Sequence, residues 1–107
     1  MTRVVVNPGI CGKVTTVEIV KIGKRRVRVK IISDCETVTK MGESLVELDQ
    51  WSALKPHVQS EVYQSASECH IHASCPVPMA ILKAIEVEAG LALPRPVLIQ
   101  FEPTEQG

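Results

Sequence analysis

Ten residues, Cys69-His70-Ile71-His72-Ala73-Ser74-Cys75-Pro76-Val77-Pro78, gather two thiols and two imidazoles just ahead of the most apolar stretch of this chain. Two further cysteines, Cys11 and Cys35, lie far away in sequence. Thiolates hold zinc and iron-sulfur clusters, and a thiolate is also the form that attacks a disulfide, so four cysteines in 107 residues point to metal or redox chemistry. Their spacings, 23, 33 and 5 intervening residues, contain no pair of Cys-x-x-Cys knuckles of the zinc-finger or ferredoxin kind. A shared site therefore depends on the fold bringing distant segments together. Free, buried or redox-active thiols are the competing account of the same residues. Histidines in a loop near cysteines are more often exposed polar residues than ligands. His70 and His72 are read that way, with His72 kept as a substitute ligand.

The elements that would position these groups follow from local pattern. Arg3 to Val6 is a short β-branched run, and Asn7-Pro8-Gly9-Ile10-Cys11-Gly12 follows with strong turn chemistry. Lys13 to Ile22 is rich in Val, Ile and Thr. After a turn at Ile22-Gly23-Lys24, Val27, Val29 and Ile31 alternate with Arg26, Arg28 and Lys30, which predicts a hairpin with one core face and one wet face. Ser33 and Glu36 have capping-box spacing, so a helix is expected from there to about Leu48, with Cys35 in its first turn and Gly42 as a weak point. A thiol at that position gains from free N–H groups and the positive end of the helix dipole, while Asp34 and Glu36 oppose the effect.

A helical turn around Trp51 to Leu54 and a second helix opened by Pro56 are expected next, with Trp51 and Tyr63 in the core. Ser65 to Ser74 reads as loop. Ser74 or Cys75 is positioned to cap a third helix that Pro76 opens and Gly90 ends, and Val77, Ile81, Leu82, Ala84 and Ile85 make it the most buried. Past Pro94 and Pro96, Val97, Ile99 and Phe101 alternate with Leu98, Gln100 and Glu102, the pattern of a last strand, before a frayed tail from 103 to 107. The expected order is β-β-β-α-α-α-β, an α+β domain spanning 1–107 with helices on one face of a mostly antiparallel sheet. In that layout the loop holding Cys11, the helix start at Cys35 and the helix start at Cys75 share one edge.

Composition limits the class. Hydrophobic residues make up 45% and charged residues 22%, the balance of a folded domain with a single core. No apolar run approaches the roughly 20 residues that span a bilayer, and the N-terminus lacks the apolar core of a signal peptide. Both point to the cytoplasm, where thiols stay reduced and cysteines serve as ligands or redox groups rather than disulfides. The net charge is zero but divided: through Lys30 there are eight Lys or Arg and one acidic residue, and beyond it four basic and eleven acidic. Six of the basic residues, Lys21, Lys24, Arg25, Arg26, Arg28 and Lys30, crowd the hairpin. Without interleaved aromatics this reads as a solvated face complementing acidic helices of its own or a neighbouring subunit, and no specific nucleic acid is expected.

Ala73-Ser74-Cys75-Pro76, followed by Met79-Ala80-Ile81-Leu82-Lys83-Ala84-Ile85, resembles the signature of TSCPD-type domains, small four-cysteine modules that also occur fused to some ribonucleotide reductases. The resemblance extends from Cys11 to Ile85. Val77 stands where that signature has Asp, and Ser33-Asp34 where a Gly pair usually precedes the second Cys. More distantly, the order is similar to the U-type (NifU/IscU-like) iron-sulfur scaffolds, whose Cys-Gly after the first strand matches Cys11-Gly12 and whose other ligand cysteines correspond to Cys35 and Cys75. That family has Asp where this chain has Lys13 and His where it has Ser74. The resemblance implies a binding or carrier protein rather than an enzyme, with an iron-sulfur cluster or zinc held by Cys11, Cys35, Cys69 and Cys75. A protein partner that accepts electrons or a cluster, and a homo-oligomer, are compatible with it. The alternatives are a thiol redox protein using Cys69 and Cys75, and an interaction module with buried free thiols.

Overall fold

The computed structural model describes residues 1–105, and of the expected tail, residues 106 and 107 lie outside the described residues. Three strands open the chain: β1 (Thr2–Val6), β2 (Thr15–Lys21) and β3 (Arg26–Ser33). They form an antiparallel meander in which Val6 faces Thr15, and Thr15 in turn faces Ser33. Alternation decides the faces as expected. Val17, Ile19, Val27 and Val29 are buried and Arg26, Arg28 and Lys30 are exposed. The fold is the α+β class, with helices packed against a wholly antiparallel four-stranded sheet.

The first helix, α1 (Glu36–Ser44), is shorter than expected. The chain does not run on as helix to Leu48. It breaks at Leu45, and β4 (Glu47–Asp49) pairs with β3, placing Leu48 opposite Val27 in the core. Helical periodicity at Leu45 and Leu48 is equally met by a turn that buries both, and β3 offered an open edge whose N–H and C=O groups needed partners. Gly42 is where α1 touches the sheet most closely: a Cβ there would meet Ile31 Cβ at 3.0 Å. What reads in sequence as a helix weakness is a contact surface.

Asp49 caps α2 (Gln50–Ala53) by accepting from the Trp51 and Ser52 amides. Trp51 is half exposed rather than core. Pro56 does not open a long helix; it precedes a 3-10 turn (His57–Gln59), and α3 (Glu61–Glu68) starts only after Ser60. Ser60 is fully buried, with its hydroxyl donating to the Ala53 carbonyl at 2.6 Å and accepting from the Tyr63 amide. Two otherwise orphaned backbone groups are thereby satisfied by one side chain.

The last helix, α4 (Val77–Glu88), is the most buried, as its composition predicts: Val77, Ile81, Ala84 and Ile85 are essentially inaccessible. Its N-cap is Pro76, without the side-chain cap expected of Ser74 or Cys75. It lies over β1 and β2. Its far end is tied down by Glu88, which accepts from the Thr2 hydroxyl at 2.8 Å and the Lys21 amide at 3.0 Å. Partial burial alone would push the Glu88 carboxyl up, but these bonds and the amino terminus outweigh it and hold the carboxyl below its usual range.

The expected final strand is absent. Residues 91–104 carry no regular secondary structure, and Leu98, Ile99 and Phe101 are 79%, 75% and 95% exposed. A strand exists only with a hydrogen-bonded neighbour, and this segment stands clear of the sheet in its own chain.

Candidate metal and thiol site

Sheet register and the anchoring of α4 decide where the cysteines fall. Glu88 fixes the C-terminus of α4 at the end of the sheet where β1 begins and β2 ends. The helix of about 18 Å therefore reaches back with its N-terminus toward the opposite end, where Val6, Thr15 and Ser33 are paired. The loop with Cys11 leaves that end, Cys35 follows Ser33 there, and Cys75 precedes α4 there. The shared edge expected from the sequence is the edge the chain builds.

Cys11 is exposed in a loop shaped by Gly9 (φ +91°) and Gly12 (φ +68°), whose Gly12 amide donates to the Gly9 carbonyl at 3.0 Å. Both conformations suit glycine and would strain an L side chain. Cys35 is half-buried at the N-cap of α1, one position before the expected first turn. Ser33 does not act as the expected helix cap. Its hydroxyl pairs with Thr15 Oγ1 at 2.6 Å and accepts the Cys35 amide at 3.0 Å, which locks the strand end to the cysteine.

The Cys35 thiol lies 3.1 Å from Thr37 Oγ1. That bond, then the Val38 amide, outweigh the opposing effect of burial and hold the thiol below the usual thiol range, with further help from the Thr37 amide and the Lys13 charge. Thr37 escaped the sequence reading. A hydroxyl two residues beyond a helix-capping cysteine is the feature that would have located it.

Cys75 is half-buried, and burial pushes its thiol up; the Val77 amide opposes this, and the charges of Cys35 and Cys11 add smaller upward contributions. Cys35 and Cys11 thus lie within electrostatic reach of Cys75. Cys69 caps the C-terminus of α3, which runs through Glu68 into the stretch expected to be loop. His70 takes the left-handed conformation (φ +57°) there; its amide donates to the Ser67 carbonyl and the Ile71 amide to the Ala66 carbonyl at 2.9 Å. This is a Schellman ending with histidine in the place usual for glycine, and it lays Ile71 against the core. His72 is exposed, and its carbonyl accepts the Cys75 amide at 2.9 Å, forming a turn that leads into α4. Among the described residues, no three His, Cys, Asp or Glu side chains are gathered closely enough to hold a metal ion. The donor types suit zinc or iron, and three donor segments converge on one edge, but the sulfurs are not drawn together.

The different surroundings of Cys35 and Cys75 have opposite consequences for pH. The depressed titration of Cys35 contributes stability that is fully present above the ordinary thiol range and is lost as pH falls through the lowered value; the elevated titration of Cys75 favours the fold below that range and loses its contribution as pH rises through the raised value. Alkylation by iodoacetamide, followed residue by residue by mass spectrometry, is expected to set in at a lower pH for Cys35 than for Cys75. Coincident pH profiles would contradict this assignment.

The fold and site define a four-cysteine α+β domain with three cysteines at one end of its sheet. The chain belongs to a family of unknown function, DUF6951, whose model matches residues 2–101. No curated protein matches it, and no solved structure matches it either.

Proposed function

We propose that this domain is a cytoplasmic metal-binding or carrier protein, holding zinc or an iron-sulfur cluster through Cys11, Cys35 and Cys75, with Cys69 nearby as a fourth thiolate and His72 as its substitute. The observation that supports it most is the placement of Cys11, Cys35 and Cys75 at one end of the sheet, near enough for the first two to perturb the third. A cation at that edge would reverse the repulsion, since thiolates that oppose one another without a metal all favour it. The loop around Cys11 has room to adjust, as no atom lies within 4 Å of a Cβ built at Gly9 or Gly12. The resemblance to TSCPD-type domains and to the U-type scaffolds supports the same reading.

A thiol relay through Cys69 and Cys75 is less well supported, because burial favours the protonated, less nucleophilic form of Cys75. The exposed arginines on the sheet are also matched within the chain. Arg28 and Arg26 face Glu47, Arg25 faces Asp49 and Arg3 faces Glu18 at 2.7 Å. This supports the reading of the basic hairpin as a charge-complemented face.

Anaerobic purification followed by metal analysis and a visible spectrum tests the proposal. Iron with sulfide and broad visible absorbance favours a cluster, and stoichiometric zinc favours a closed thiolate site. A protein that takes up neither metal under reducing conditions would overturn the reading in favour of free thiols.

A further inference from the structure

The chain carries both halves of a strand pairing that it does not make with itself. One half is the arm after α4. The helix ends in a second Schellman arrangement, with Gly90 at φ +77° and the Leu91 amide donating to the Glu86 carbonyl at 2.8 Å, and Pro94 and Pro96 then stiffen an extended lead away from the body. Among the described residues, the backbone of 96–105 makes no hydrogen bond. The molecule extends 51 Å along its longest axis against 29 and 24 Å along the others. Yet Val97, Ile99 and Phe101 are β-formers at alternate positions, between prolines at 96 and 103 that end a ladder on either side.

The other half is β1. It is the terminal strand of the sheet order β1-β2-β3-β4, so one row of its N–H and C=O groups has no strand beside it. On its core-facing side Val4 is only half-buried at the border of the core. Its outward face carries Arg3 and the 65%-exposed Val5. An edge strand left open would ordinarily be guarded by several charges, a proline or a bulge, and within Thr2–Val6 only Arg3 is charged.

We propose that the arm is a strand supplied in trans. Residues 97–101 pair with the open edge of β1 in a second copy of the chain, and that copy returns its own arm, giving an arm-exchanged homodimer. Val97, Ile99 and Phe101 cover the core border beside Val4, and Gln100 and Glu102, on the alternate face, meet the side that carries Arg3. The arm reaches far enough: twelve residues from Gly90 to Phe101 extend about 40 Å, while the five of β1 need only about 17 Å.

The area is also sufficient. The exposed Val97, Ile99 and Phe101 offer on the order of 400 Å² per arm, and reciprocal exchange uses it twice and covers a like area of each β1 edge, which brings the total into the range of a stable interface. A second copy is the occupant that accounts for both unpaired halves at once, because a closed two-fold exchange leaves neither the β1 edge nor the arm unmatched.

Sedimentation equilibrium of the 107-residue chain, with reductant and chelator present so that neither disulfides nor shared metal join two copies, is expected to give twice 11.7 kDa at micromolar concentrations. Ile99→Pro removes a ladder donor from an arm that supports nothing in its own body, and Phe101→Asp removes its largest apolar contact. Each is expected to raise the dimer dissociation constant at least about a hundredfold, with far-UV circular dichroism of the body retained, and amide protection at 97–101 is expected only in the dimer. A monomer at every concentration up to millimolar would overturn the proposal, as would a dimer that both substitutions leave intact.

Discussion

Serine in place of Cys35 or Cys75 is expected to weaken zinc binding at least about a hundredfold, measured by competition with a chromophoric chelator under anaerobic conditions. Sulfur at these positions comes from two rigid element ends, a strand-to-helix junction locked by Ser33 and a turn locked by the His72 carbonyl. Neither substitution removes a core side chain, so the far-UV spectrum should persist and the loss can be assigned to ligation. Cys69→Ser is expected to speed metal loss to the chelator, since three thiolates leave a tetrahedral site with an open position where four would close it. Loss at the native rate would remove Cys69 from the ligand set. Affinity within about threefold of native after both the Cys35 and Cys75 substitutions would end the metal reading altogether.

The largest effect on stability is expected from Ile85→Ala. Ile85 is wholly inaccessible on the helix that covers β1 and β2, and truncation there removes three carbons from a packed interior. The cost should be about 3–4 kcal/mol, a large share of the roughly 5–15 kcal/mol that hold a domain of this size together. Thermal unfolding should fall by about 15 °C or more. Val58→Ala, at a site 82% exposed, should change stability by less than about 0.5 kcal/mol in the same assay. A small effect at Ile85 would mean that α4 does not seal the core.

What could be read from the chain alone was whatever a short period encodes. The alternation from Arg26 to Ile31 and the apolar density between Val77 and Ile85 each have one physical solution, and both were legible. Leu45 and Leu48 had two, since spacing by three suits a helix face as well as a turn and a short strand; the open edge of β3 decided between them, and that edge is a tertiary fact. Gly42 was visible only as a poor helix former because its partner, Ile31, lies eleven residues away. The alternation of Val97 to Phe101 was read as a strand of this sheet and is not one, because alternation specifies two faces and supplies no hydrogen-bonded neighbour. At the site, the common edge of Cys11, Cys35 and Cys75 followed from element order. The Thr37 hydroxyl and the reach of Lys13 toward Cys35 depend on side-chain directions that no spacing carries.

The Schellman ending at His70 bears on the order of events when an ion arrives. With the α3 terminus and the His72 turn already fixed, the segment from Cys69 to Cys75 has lost its backbone freedom during folding, and Cys35 has lost its own to Ser33. The glycine-bounded loop from Pro8 to Lys13 is held only by the Gly12 amide on the Gly9 carbonyl and the Gly9 amide on Asn7 Oδ1, so closing it on an ion would cost about 1–2 kcal/mol for each further residue restrained. An ion captured at Cys35 and Cys75 would therefore wait on Cys11, and the sulfur that joins last is also the first to let go. If the proposed site holds an ion, loop entropy at Gly9 and Gly12 would join the bonds to sulfur in setting how long it stays.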